Sequence, residues 1–128
     1  MIIRSILKYR YAILWAIISL TACGINGNAL PKINVDFGMD KVAHFVLFGV
    51  QAWLIIWGSR VKHNASTEKI KWPSVHIAVI ISLLYGIFIE GLQATVFVNR
   101  SYDFADMVAD GIGTLFCYPL VFLSNSLK

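Results

Sequence analysis

Long runs of apolar residues, separated by short polar segments, dominate the pattern along this chain. Four runs fall at about residues 9–25, 42–58, 75–98 and 107–123. Each is close to the roughly 17 to 25 residues that a helix needs to cross a membrane. Glycines, asparagines and a proline interrupt the pattern between residues 24 and 34, and Trp72-Pro73 precedes the third run, where proline is accepted in a first helical turn. The pattern predicts an all-α polytopic membrane protein, with four transmembrane helices in a bundle that forms a single domain over residues 1–128.

The composition supports the membrane class. The chain is 58% hydrophobic and only 14% charged, whereas soluble domains are typically about 25% charged. A net charge of +4 raises the question of a nucleic-acid partner, but the basic residues lie beside apolar segments and form no basic face with interleaved aromatic residues. We therefore expect membrane lipids, and no nucleic acid, as partners.

The distribution of Lys and Arg predicts the orientation, because short cytoplasmic loops are enriched in these residues. If the four helices alternate in direction, three of the eleven basic residues face one side: Lys32, Lys41 and Arg100. The other eight face the opposite side: Arg4, Lys8, Arg10, Arg60, Lys62, Lys69, Lys71 and Lys128. Both termini are therefore predicted to be cytoplasmic.

The N-terminal segment has a competing interpretation. Basic residues, an apolar run and then Leu20-Thr21-Ala22-Cys23-Gly24 resemble a bacterial lipoprotein signal, in which Cys23 would be lipidated after cleavage. Cleavage would remove the first predicted helix and leave an external N-terminus. An intact Met1 in mass spectrometry of the membrane-extracted protein would exclude this interpretation.

Nine ionisable or amide side chains form three clusters at the ends of predicted helices, all on the side away from the basic loops. They are Asp40, Lys41 and His44; Glu90 and Gln93; and Arg100, Asp103, Asp106 and Asp110. A charged residue at the centre of a membrane helix costs roughly 2.5 to 3.5 kcal/mol on insertion scales, so such residues tend to face one another and to be functional. We predict one polar site that opens at the outer leaflet.

Helical spacing assigns these residues to three faces, since positions three or four apart lie on the same side of a helix. The faces are Asp40, His44 and Gln51; Ser82, Gly86, Glu90 and Gln93; and Asp103, Asp106, Asp110 and Thr114. Small residues such as Ser82 and Gly86 let membrane helices pack closely. This indicates that the faces turn inward and meet.

Most of these residues also have a purely structural interpretation. Lys41 and Arg100 can extend from helix ends to the interface, Asp40, Asp103 and Asp106 can cap helix N-termini, and His44 and Gln51 can hydrogen-bond between helices. Glu90 and Asp110 fit such accounts least well, because neither is at a cap position. We expect a buried Glu90 carboxylate to be protonated or paired with Lys41, Arg100 or His44.

Three stretches together resemble the motifs of the VanZ-like family: DKVAHFVLF at residues 40–48, YGIFIEGLQ at 85–93 and RSYDFADMVADGIG at 100–113. The resemblance covers roughly residues 31–113. It implies a small integral protein of the bacterial inner (cytoplasmic) membrane with a role in the cell envelope, in a family named for a teicoplanin-resistance determinant. Asp110 is a departure, because asparagine is expected there.

Three functions remain open. The first is binding of a lipid-linked or amphipathic envelope ligand, which alters sensitivity to lipoglycopeptides of the teicoplanin type. The second is a metal-dependent membrane enzyme acting on a lipid phosphate or ester, with the acids and His44 holding a divalent cation such as Mg²⁺. The third is a structural accessory subunit, in which ion pairs fix the packing of the helices. Transport is disfavoured because the helices offer no polar path below Gln51 and Ser82.

Overall fold

A computed structural model of the chain describes residues 6–25, 38–60 and 68–127, and within these ranges it contains helices and no strand. A 3-10 turn, Leu7–Tyr9, leads into α1, Arg10–Gly24. The next two helices are α2, Gly38–Arg60, and α3, Trp72–Thr95. Two shorter helices follow, α4, Phe104–Leu115, and α5, Cys117–Ser126. The predicted all-α class is confirmed.

Three helical stretches in the described ranges are long and apolar enough to cross a membrane: α2, α3, and α4 with α5 taken together as Phe104–Ser126. Helix α1 has 15 residues. At 1.5 Å per residue it extends about 22 Å, which is less than the roughly 30 Å of a hydrocarbon core. The multi-pass membrane class is therefore supported, while the fourth span and the cytoplasmic termini stay predictions.

The helix ends differ from the predicted bounds for local reasons. Helix α2 begins at Gly38 and not near residue 42, so Asp40 lies in its first turn, where a carboxylate favours the positive end of the helix dipole. Helix α4 begins at Phe104 and not near 107, because the Asp103 side chain accepts a hydrogen bond from the Ala105 N–H at 2.8 Å. Asp103 is thus the N-cap of α4.

The third and fourth predicted helices also end or break earlier than the apolar pattern indicates. Helix α3 stops at Thr95, where the predicted run extended to 98, and the chain soon reaches Asn99, whose φ of 56° is left-handed. The predicted helix at 107–123 is interrupted at Phe116. Pro119 explains this break, because proline has no N–H to donate to the carbonyl of Leu115 four residues earlier.

Close contact between α2 and α4 depends on residues without side chains. A Cβ placed on Gly113 would overlap the backbone of Phe45, and one placed on Gly49 would lie 3.0 Å from the Gly113 carbonyl oxygen. Glycines allow helix backbones to approach in this way. The approach places the acidic face of α4 directly against the start of α2.

The bundle has an apolar interior and an apolar exterior. One core cluster includes Ala52, Ile56, Val75 and Val121, and a smaller one joins Cys23, Phe48 and Ile89. The outward side of α3 is exposed and equally apolar, with Ile77, Ile80, Ile81, Leu84, Ile87 and Phe88 between 47% and 61% exposed. Such an extensive apolar surface fits contact with lipid.

Candidate polar site at one end of the bundle

The starts of α2 and α4 and the end of α3 bring most of the predicted site residues together. We call this group the polar cluster; it consists of Lys41, His44, Glu90, Asp103, Asp106 and Asp110. Four of its members are almost fully buried: His44, Glu90, Asp106 and Asp110. Their burial means that the contacts within the cluster determine which charges the fold can hold.

Lys41 links α2 to the start of α4. Its Nζ lies 2.6 Å from Asp106 Oδ1 and 3.0 Å from Asp103 Oδ2. The Asp106 side chain is only 8% exposed, whereas that of Asp103 is 40% exposed. The Lys41 ammonium, which donates to Asp103, holds the pKa of the Asp103 carboxyl below its ordinary value. The bond to Asp106 is the buried half of this bridge.

His44 lies between two carboxylates of α4. Its Nδ1 is 2.8 Å from Asp110 Oδ1, and its Nε2 is 3.8 Å from Asp106 Oδ2. Gly86 of α3 provides the space on the other side of Asp110, because a Cβ at Gly86 would lie 3.2 Å from Asp110 Oδ2. The inward polar faces of α2 and α4, and the small face of α3, therefore meet at Asp110.

Glu90 is 1% exposed and points into the same cluster. Its Oε2 accepts a hydrogen bond from the Asp103 backbone N–H at 3.3 Å. One ligand atom from each of His44, Glu90 and Asp110 lies within 4.8 Å of the other two. Among the described residues, neither Glu90 Oε1 nor Asp110 Oδ2 has a hydrogen-bond partner. Of the three basic residues predicted to pair with Glu90, His44 has a ring nitrogen within 4.8 Å of its carboxylate.

The remaining predicted site residues have other positions. Gln93 is buried, and its Nε2 donates to the Cys23 carbonyl at 3.2 Å. The Arg100 Nε donates to the Ile25 carbonyl at 3.0 Å. Both side chains thus tie the end of α1 to the bundle. Asp40 is exposed at the start of α2, with a carboxylate oxygen within 4.8 Å of ligand atoms from His44 and Asp106, so it lies at the rim of the cluster.

Two anchors of α1 were not identified from the sequence. The Trp15 indole N–H donates to the Leu47 carbonyl at 2.9 Å, and the Tyr85 hydroxyl donates to the Ala16 carbonyl. A buried Trp or Tyr usually finds a hydrogen-bond partner for its polar atom, and this was the available signal. These bonds hold α1 against α2 and α3.

The fold and the cluster together define a small multi-pass α-helical membrane protein with buried acids and a histidine at one end of its bundle. The chain matches the VanZ/LLP1 family over residues 2–125 and belongs to this family. The match extends over almost the whole chain and confirms the resemblance seen in the three motifs. No curated protein and no solved structure shows significant similarity to it.

The N-cap of α4 gives a first testable expectation. Asp103→Ala removes both the cap acceptor and the charge, and should lower the melting temperature in detergent micelles by a few degrees. Asp103→Asn keeps the acceptor and should lose less. Because the folded pKa of Asp103 is depressed, its charge stabilises the fold at neutral pH, and this contribution disappears as the pH falls below the ordinary value of 3.8. The stability gap between wild type and Asp103→Asn should therefore close in that acidic range. Equal losses in the Ala and Asn variants would contradict a role for the cap bond.

Proposed function

We propose that the protein crosses the bacterial inner membrane four times, with both termini in the cytoplasm and the polar cluster at the outer leaflet. The Lys and Arg balance of the short loops supports this orientation. The lipid-facing character of α1 supports the fourth span, since Ile13, Leu14, Ile17 and Ile18 are between 45% and 57% exposed. A short helix can be accommodated by local thinning of the bilayer.

We further propose that the polar cluster binds the headgroup of a lipid-linked or amphipathic envelope ligand. The rim of the cluster carries the exposed carboxylate of Asp40 and the partly exposed carboxylate of Asp103. Carboxylate oxygens accept hydrogen bonds from hydroxyl and ammonium groups. A headgroup rich in such donors, as in sugars and amines, therefore suits this rim better than an anionic headgroup without donors.

An apolar groove beside the cluster is the observation that carries this proposal. The groove runs between α2 and the α4–α5 segment, has a volume of about 320 Å³, and is lined by residues that include Phe45, Gly49, Trp53, Gly113 and Phe116. It begins one residue after His44 and three residues after Asp110. A ligand with its acyl chain in this groove would have its headgroup next to the polar cluster. Binding sites commonly combine an apolar wall with a few polar groups in this way.

The proposed consequence is a change in sensitivity to lipoglycopeptides of the teicoplanin type. The test is complementation of a deletion strain with wild type, Glu90→Gln or Glu68→Gln, each at a measured protein level. Glu68 lies at the opposite end of the bundle from the cluster and provides the same chemical change as a control. We expect the deletion to alter teicoplanin sensitivity, and Glu68→Gln but not Glu90→Gln to restore it. An unaltered sensitivity in the deletion strain would contradict the proposal.

Ligand retention tests the binding step directly. Native mass spectrometry of gently extracted wild type should show a bound lipid or amphipathic molecule that Glu68→Gln keeps and Glu90→Gln loses. If the cluster has only a structural role, Glu90→Gln should lower the protein level and the phenotype in proportion, without a specific loss of bound ligand. Normalising both readouts to folded protein therefore separates the two functions.

A further inference from the structure

We propose that His44, Glu90 and Asp110 form a binding site for a divalent cation of the zinc or manganese type. The three side chains come from α2, α3 and α4, and one ligand atom of each lies within 4.8 Å of the other two. In a tetrahedral zinc site the ligand atoms are about 3.4 Å apart, because each bond to the metal is about 2.0 to 2.2 Å long. With all three atoms already within 4.8 Å of one another, each pair needs to close by no more than about 1.4 Å to reach this spacing.

The unpartnered carboxylate oxygens point to a bound cation independently of the clustering. Glu90 is 1% and Asp110 is 2% exposed, yet within the described residues Glu90 Oε1 and Asp110 Oδ2 accept no hydrogen bond. A buried carboxylate oxygen without a donor is costly. A metal ion bound between these two side chains would replace the missing donors.

The charges of the polar cluster favour the same conclusion. The cluster has four carboxylates but one permanently charged cation, Lys41, which bonds to Asp103 and Asp106. His44 has a ring nitrogen within 4.8 Å of carboxylate oxygens of both Glu90 and Asp110, but an imidazole is not permanently charged. A divalent cation would offset the negative charge of these two acids, as buried charge requires.

The donor set selects the kind of metal. The imidazole nitrogen suits Zn²⁺ and disfavours Ca²⁺ and Mg²⁺, which prefer oxygen ligands alone, while the two carboxylates are also ligands that Mn²⁺ accepts. With Nδ1 toward the site, Nε2 faces Asp106 at 3.8 Å, and an acidic partner on the second nitrogen commonly orients a metal-bound histidine. Asp40, His44 and Asp106 form another group of potential ligands, but Asp106 is already bonded to Lys41. The buried group is the better site.

Metal titration of the full chain tests this inference. The inference does not depend on the proposed amphipathic ligand. Tag-free protein in micelles is stripped with EDTA and titrated with Zn²⁺ alone and with Mn²⁺ alone. We expect one equivalent per chain, with affinity at least about tenfold lower in Glu90→Gln and Asp110→Asn. Two controls at the opposite end of the bundle, Glu68→Gln and His76→Gln, should bind like wild type. Binding well below one equivalent, or equal binding in all variants, would overturn the site.

X-ray absorption spectroscopy of zinc-loaded wild type is a second test. It uses no variant, so a folding defect cannot affect the result. The first shell should contain only nitrogen and oxygen at about 2.0 to 2.2 Å, without the sulfur distance of about 2.3 Å. A sulfur shell would assign the metal to Cys23 or Cys117, both of which are free, and would refute the His44, Glu90 and Asp110 set. If the purified protein binds zinc as expected but the deletion strain keeps its teicoplanin sensitivity, the metal site stands and the proposed function alone is contradicted.

Discussion

Alanine at position 113 is expected to disrupt the bundle, whereas alanine at position 111 is expected to stabilise it. A Cβ at Gly113 would overlap the carbonyl oxygen, carbonyl carbon and Cα of Phe45. These are backbone atoms, so no side-chain rotation can remove the clash, and α2 and α4 must separate. Overpacking of this kind typically costs about 1 to 3 kcal/mol and sometimes more. At Gly111 the nearest atom is Leu83 Cδ2 at 3.9 Å, an ordinary contact, and the better helix propensity of alanine should contribute up to about 1 kcal/mol.

The two variants can be compared by unfolding in micelles with increasing SDS or temperature. The pair is well matched because the substitution, the helix and the detergent are the same. Separation of α2 from α4 would also move Asp106 and Asp110 away from Lys41 and His44, so Gly113→Ala should bind less Zn²⁺ than Gly111→Ala. If Gly113→Ala unfolded at the same point as Gly111→Ala, the two helices could not be in backbone contact.

The helical class and the inward polar faces could be predicted from the sequence because each depends on local periodicity. Apolar runs predicted α2 and α3 within a few residues. Spacings of three and four put Asp106 and Asp110 on one face of α4, where both now lie beside His44. The break at Phe116 was missed, although Pro119 was visible. Hydropathy measures the apolar character of a segment and takes no account of a missing backbone donor.

The choice of partners within the cluster could not be predicted. Periodicity assigns a residue to a face, but the distance between two faces depends on how neighbouring helices align along their axes. The Gly113 contact with Phe45 sets that alignment here. It places Lys41 against Asp106 and leaves Glu90 with the Asp103 backbone N–H as its hydrogen-bond donor. Asp103 caps α4 and also bonds to Lys41, so the structural and ion-pair interpretations of this residue were not exclusive.

Replacing Lys41 with methionine is expected to destabilise the fold strongly. Methionine retains the apolar stem of the side chain but leaves Asp106, whose side chain is 8% exposed, without its cation. Removal of one partner of a buried ion pair typically costs about 3 to 5 kcal/mol. Because the Lys41 side chain is 24% exposed, we expect a loss near 3 kcal/mol, at the lower end of that range. Lys69→Met, at an exposed lysine near the opposite end of the bundle, should change the free energy of unfolding little.

A double-variant cycle shows whether the loss comes from the stranded Asp106 charge. Lys41→Met with Asp106→Asn should be more stable than Lys41→Met alone, because the second change removes the uncompensated carboxylate. Asp103→Asn should not rescue Lys41→Met to the same degree, since Asp103 is exposed enough to be solvated. If Lys41→Met behaved like Lys69→Met, water would be screening the pair and Asp106 would not be buried as an ion.

The rescued double variant also separates the two halves of the polar cluster, the Lys41 bridge and the group of His44, Glu90 and Asp110. Its His44, Glu90 and Asp110 are intact, so it should still bind one equivalent of Zn²⁺. The affinity should be lower than in wild type, because Asp106→Asn removes the acidic partner of His44 Nε2.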